Sequence, residues 1–169
     1  RKIYAEFKEA FVKRVATLKV GNPLLDDSRL GAIVSKPHME KILSYIELAK
    51  QEGGKILFGG RQLSLEGENA NGYFIEPTVL EGLPYNCRTN MEEIFGPVLT
   101  AIPFKDEAEA LRLANEVQYG LTGYVWTSDV TRAFRFSDAL EAGMIWINSE
   151  NVRHLPTPFG GVKSSGIGR

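Results

Sequence analysis

Between Val98 and Asn148 the chain reads as strand, helix, strand, helix and strand with links of only a few residues, and few folds accommodate that order. Val98–Ile102 is apolar and extended. Asp106 and Glu109 have the spacing of a capping box that opens a helix to about Val117, with Gly120 as its cap. Leu121–Thr127 is a second strand, and Ser128 is the predicted N-cap of a helix over Val130–Glu141 that ends at Gly143. Met144–Asn148 is the third strand. Alternating strands and helices with short links predict an α/β fold, a mostly parallel sheet flanked by helices. The strands are apolar on both alternating positions, as burial on both faces requires.

The first half is less regular. Phe7, Phe11, Val15 and Leu18 share one face of a helix predicted over Ile3–Val20, stopped by Gly21-Asn22-Pro23. Ser35 and Pro37 start a second helix, because proline is tolerated where the first turn has no N–H partner. Met39, Ile42, Leu43, Ile46 and Ala49 form its apolar face, and Gly53-Gly54 ends it before a strand at Lys55–Phe58. Tyr73–Leu80 reads as extended, with Pro77 marking either a sheet edge or a bend. Pro84-Tyr85-Asn86 marks a turn. No internal repeat, low-complexity stretch or boundary between two stable domains is visible.

At 169 residues the chain can bury roughly 70% of its unfolded surface, enough for a core without staples. A formal net charge of −1 gives no pull toward nucleic acid or anionic membrane. No apolar run approaches the roughly 20 residues needed to cross a bilayer, and the opening residues read as a helix rather than a signal peptide. The single cysteine, Cys87, cannot form an internal disulfide. A cytoplasmic setting is the expectation. His38 and His154 lack companions at metal-ligand spacing, so no metal site is expected.

Three segments carry candidate chemistry. Ligands of open parallel sheets bind beyond the carboxyl ends of strands, which singles out Asn148–Arg153; the alternative is an ordinary polar loop. Glu92-Glu93-Ile94-Phe95-Gly96-Pro97 places a carboxylate and an aromatic ring before a strand. It suits a ribose and a planar heterocycle, or else is a solvated acidic turn beside a core phenylalanine. Pro158–Arg169 is glycine-rich, but it has neither the Gly-Lys-Ser/Thr order of a phosphate loop nor the strand-to-helix setting of a dinucleotide fingerprint. Its glycines are expected to permit close backbone packing.

Taken together, Glu92-Glu93-Ile94-Phe95-Gly96-Pro97, Asn115 to Tyr119-Gly120-Leu121, Gly143 to Trp146-Ile147-Asn148, and Pro158-Phe159-Gly160-Gly161-Val162-Lys163-Ser164-Ser165-Gly166 resemble the aldehyde dehydrogenase superfamily. All four occur in the family's order, and the resemblance covers essentially the whole chain. It implies oxidation of an aldehyde to an acid with NAD, or NADP: a cysteine thiolate forms a thiohemiacetal, hydride passes to the nicotinamide, and water activated by a glutamate releases the product. By the same resemblance Glu93 holds the nicotinamide ribose, Phe95 lies beside the nicotinamide, Phe159 lines the aldehyde tunnel, and Asn151, Arg153 and His154 belong to the substrate loop.

The resemblance also implies what is missing. The nucleophile is expected just upstream of Arg1, the general base and main cofactor domain further upstream, and a subunit-pairing strand beyond Arg169. Residues 1–169 then form a partial catalytic domain with no catalytic residue of its own, inactive alone, from a homodimer or homotetramer. Cys87 is not in the nucleophile's place. The loop Asn148–Phe159 looks like that of dehydrogenases for ring-cleavage semialdehydes, especially 5-carboxymethyl-2-hydroxymuconate semialdehyde. Arg153 suits a substrate carboxylate, unless it is a surface or interface residue. A non-catalytic interaction module derived from the same fold is the alternative.

Overall fold

A computed structural model describes residues 2–150, 152 and 154–168. The chain forms two compact units, 1–103 and 104–169. The division falls in the link after the Val98 strand, where the sequence carries only a short connection.

In the first unit, helix α1 (Tyr4–Val15) stops at Val15 rather than Val20. The backbone tightens there: Thr17 N–H donates to the Arg14 carbonyl at 3.1 Å, Leu18 N–H to the Val15 carbonyl at 3.0 Å, and the Thr17 hydroxyl to the Arg14 carbonyl at 2.8 Å. Val20 instead bridges to Leu30. Helix α2 (Lys36–Gln51) begins where predicted, with the Ser35 hydroxyl accepting from the His38 N–H. It buries Met39, Ile42, Ile46 and Ala49, a stripe at helical spacing. Strand β1 (Lys55–Phe58) follows.

The extended stretch around Pro77 is two strands. The Gln62–Leu63 strand (β2) pairs antiparallel with β3 (Phe74–Ile75), whereas β4 (Thr78–Glu81) joins another sheet. Pro77 therefore marks a bend and not an edge: β4 is the central strand, antiparallel to β1 and parallel to β5 (Val98–Ala101). Thr78 is buried, but its hydroxyl donates to the Glu76 carbonyl and accepts from Gly60 N–H, both at 2.9 Å. A one-turn helix α3 (Arg88–Met91) precedes β5. Its N-terminus is capped from a distance, because the Glu52 carboxylate accepts from Arg88 N–H, Thr89 N–H and the Thr89 hydroxyl.

The second unit contains α4 (Glu107–Asn115), β6 (Tyr119–Gly120), β7 (Thr122–Val125), α5 (Val130–Ala139), β8 (Met144–Ile147) and β9 (Val162–Lys163). The predicted parallel pairing is present between β7 and β8, in register from Thr122 opposite Met144 to Val125 opposite Ile147. Gly120 does not cap α4; it lies in β6, which pairs antiparallel with β9. Asn115 joins the two helix ends, donating to the Ala139 carbonyl at 2.8 Å and accepting from Glu141 N–H at 2.9 Å. The Lys163 ammonium closes the same joint on the Asn115 and Val117 carbonyls. The glycine-rich end packs closely, as expected: a Cβ at Gly143 would lie 1.8 Å from the Gly160 carbonyl oxygen.

The N-cap of α5 is Asp129 and not Ser128, since the Asp129 carboxylate accepts from Arg132 N–H at 3.1 Å. Asp129→Ala is therefore expected to lower stability by about 1 kcal/mol, and Ser128→Ala to change it by less than about 0.5 kcal/mol, in urea denaturation. The reverse ranking would restore Ser128 as the cap.

Candidate functional site

The segment from Glu92 to Gly96 runs along one face of α2, and each contact has a separate physical role. The Glu92 carboxylate takes both nitrogens of Arg88, at 2.7 and 3.0 Å, together with the Tyr45 hydroxyl. The Arg88 guanidinium, and then Tyr45, hold the Glu92 carboxyl at about 2, far below the ordinary carboxylate value. Glu92 in turn pushes the Tyr45 hydroxyl up. Lys41 Nζ donates to the Glu93 carbonyl at 2.8 Å. His38 Nε2 lies 2.7 Å from the Phe95 carbonyl. That carbonyl can only accept, so Nε2 carries the hydrogen. Ile94 packs on the core cluster of Met39, Ile42, Ile46 and Ile75. Gly96 lies so close to α2 that a Cβ there would be 2.6 Å from Ile42 Cδ1.

Pinned by its backbone, the segment presents two side chains outward. Glu93 is exposed, and among the described residues its carboxylate has no hydrogen-bonding or ionic partner. Phe95 is 71% exposed. Its φ is +56°, a region that side chains with a Cβ rarely occupy. Its ring meets His38 edge-on, with centroids 5.8 Å apart. A free bidentate acceptor beside an open aromatic face, both on fixed backbone, fits a ribose and a flat heterocycle.

Arg88, Tyr45, Lys41 and His38 escape a motif-based reading. The available signal is spacing: His38, Lys41 and Tyr45 fall at i, i+3 and i+7 on α2, a polar stripe beside the apolar one. Without knowing what lies against it, that stripe reads as a solvated face.

In the second unit the loop after β8 is anchored at its start. Asn148 adopts a φ of +51°; its amide donates to the Thr127 carbonyl at 2.8 Å and accepts from Thr127 N–H at 2.9 Å. Its side chain is thus occupied and ties the loop to the end of β7. Trp146 Nε1 donates to the Val152 carbonyl at 2.9 Å. His154 Nδ1 lies 3.1 Å from the Thr157 hydroxyl, within a turn closed by Thr157 N–H on the His154 carbonyl. His154 and Phe159 line a common small cavity of about 80 Å³. Phe159 also borders a larger hollow of about 750 Å³ with Thr122, Tyr124, Trp126, Trp146 and Glu150. Asn151 and Arg153 lie outside the described residues.

Cys87 occupies the N-cap position of α3 and packs partly against Ala49, Leu80 and Leu83. Burial, the largest influence, pushes its thiol above the ordinary value, the opposite of what an activated nucleophile needs.

The sequence profile of the aldehyde dehydrogenase family matches residues 1–169. This chain belongs to that family. It is 46% identical over 171 residues to 2-aminomuconic semialdehyde dehydrogenase of Mus musculus, covering 100% of this chain and 35% of that protein. Among solved structures, HpcC of Thermus thermophilus superposes with a TM-score of 0.91 at 47% identity, over 98% of this chain and 33% of that one. An NAD+ complex of aldehyde dehydrogenase from Bacillus cereus gives 0.91 at 38% identity, over 100% and 33%. This aldehyde dehydrogenase chain thus spans about a third of the length of the curated relatives it matches.

The Glu92 cluster has a defined acid limit. Its folded value of about 2 lies below the ordinary 4.5, so its contribution is complete above pH 4.5 and lost as pH falls toward 2. Thermal melts across that window are expected to show the wild type losing stability on acidification. Glu92→Gln should be less stable at neutral pH and flatter across the window. Parallel curves for the two proteins would contradict the assignment.

Proposed function

We propose that the protein carrying these residues oxidises an aldehyde to a carboxylic acid with NAD, or NADP, and that its substrate is a carboxylate-bearing semialdehyde from aromatic ring cleavage. The observation that carries the reading is the Glu93–Phe95 pair: an unpartnered carboxylate and an open ring held by contacts from α2. Family membership and a relative of known NAD+ binding support it.

Glu93 accepts the ribose hydroxyls through its two oxygens, and Phe95 packs its face on the nicotinamide ring. The cofactor, when bound, supplies the hydride acceptor. Phe159 gives the aldehyde an apolar wall, and His154 stands beside it in the same unit. Arg153 pairs with the substrate carboxylate, for which its planar guanidinium is suited. Asn151 completes the substrate loop. Cys87, half-buried with its thiol pushed above the ordinary value, is not the nucleophile; the nucleophile and general base belong to the part of the family's length that these residues do not span. In this reading 1–169 are part of one catalytic domain of a cytoplasmic homodimer or homotetramer whose partner is a small aldehyde rather than nucleic acid or membrane.

The full-length protein is expected to form NADH with a carboxylate-bearing semialdehyde. Arg153→Ala should lower kcat/KM for that substrate about 30-fold or more, the effect of truncating one member of a desolvated charge pair, and change a neutral aldehyde of equal length less than about three-fold. Equal losses for both would remove the substrate assignment, and absence of both NADH and NADPH formation with any aldehyde would remove the reaction.

A further inference from the structure

The one strained residue in the cofactor segment is also the one His38 touches. Phe95 has a φ of +56° without being glycine, and its neighbours leave it little freedom. Ile94 is fixed in the core cluster on one side, and on the other Gly96 is pressed against Ile42. Among the described residues the carbonyls of Glu93 and Phe95 have no strand partner, and side chains of α2 supply their donors. Lys41 serves Glu93 through a long, flexible stem. His38 serves Phe95 through a stiff ring whose own backbone N–H is fixed by Ser35 and whose edge rests against the Phe95 ring.

We infer that His38 is a positioning residue for the cofactor: by donating from Nε2–H to the Phe95 carbonyl, it keeps Phe95 in the left-handed conformation that exposes its ring. This role rests on the proposed function for its purpose, but not for its geometry. His38 need not touch the cofactor. The physical claim is that the bond offsets a backbone conformation the segment would otherwise leave. Without it, Phe95 relaxes toward negative φ, the ring turns from its open position, and the cofactor must restore the conformation when it binds.

Two variants of the full-length protein separate this from a merely structural role. His38→Leu keeps the bulk and removes the donor, whereas His38→Gln keeps an amide donor of similar reach. NAD binding by calorimetry is expected to weaken about five-fold in His38→Leu and to return within two-fold of wild type in His38→Gln, about one hydrogen bond's worth at 1.4 kcal/mol per decade. The Phe95 φ, read in a crystal structure without NAD, should leave the positive region in the leucine variant alone, while the melting temperatures of both variants stay close to wild type. If His38→Leu does not fold, His38→Asn, too short to reach the carbonyl, takes its place. Unchanged NAD affinity and a Phe95 φ still positive in the donor-free variant would overturn the inference, as would glutamine failing to restore either. A wild type that binds neither NAD nor NADP would overturn the proposed function instead, and the Phe95 φ would still decide whether His38 sets the loop.

Discussion

The face of α2 that meets the Glu92–Gly96 segment does two jobs with interleaved residues. Ile42 and Ile46 are buried in the core, and Ile42 is the side chain against which Gly96 must fit. Between them, His38, Lys41 and Tyr45 reach the Phe95 carbonyl, the Glu93 carbonyl and the Glu92 carboxylate. The apolar contacts fix how close the segment comes, and the polar contacts fix which way its backbone faces. Glu93 and Phe95 point outward because everything between and around them is held. A helix that only buried its apolar stripe would place this segment nearby without orienting it.

The neighbouring glutamates show how position divides labour between identical side chains. Glu92 has its oxygens filled by Arg88 and Tyr45 and stays ionised far into acid. Glu93, one residue on, has its backbone held and its carboxylate free. The structural member absorbs the cationic and hydroxyl donors of the surroundings, so the other remains available to an incoming ligand. In the second unit, the other recurrent motifs are likewise joints. Asn115, Lys163 and Asn148 satisfy backbone groups at helix and strand ends, and Gly143 allows the closing loop to approach.

What the sequence makes legible follows from the range of the forces involved. Local signals are readable: the Ser35 cap, the apolar face of α2, the β7–β8 parallel pair and the close packing of the final glycines. Local competition produces the near misses, with Asp129 displacing Ser128 as a cap and Thr17 turning the chain where helical periodicity continues. Pro77 is legible as a sheet edge or a bend, and the choice between them, like the sheet that β4 enters, is decided by distant partners. At the site, Glu93 and Phe95 are legible because a motif holds them in one short stretch. His38 and Lys41 are not, because each acts on a carbonyl more than fifty residues away along the chain. Asn148 falls within a segment read as substrate-contacting, yet its amide is committed to Thr127, which no spacing rule reveals.

The backbone-pinned Glu93 and the exposed Phe95 are proposed to receive the cofactor together. A crystal structure of the full-length protein with NAD bound tests it most directly. The nicotinamide ribose hydroxyls are expected within hydrogen-bonding distance of the Glu93 carboxylate and the Phe95 ring against the nicotinamide, with Phe95 still at positive φ. NAD bound with Glu93 left to solvent, or with Phe95 relaxed to negative φ and its ring turned away, would contradict it.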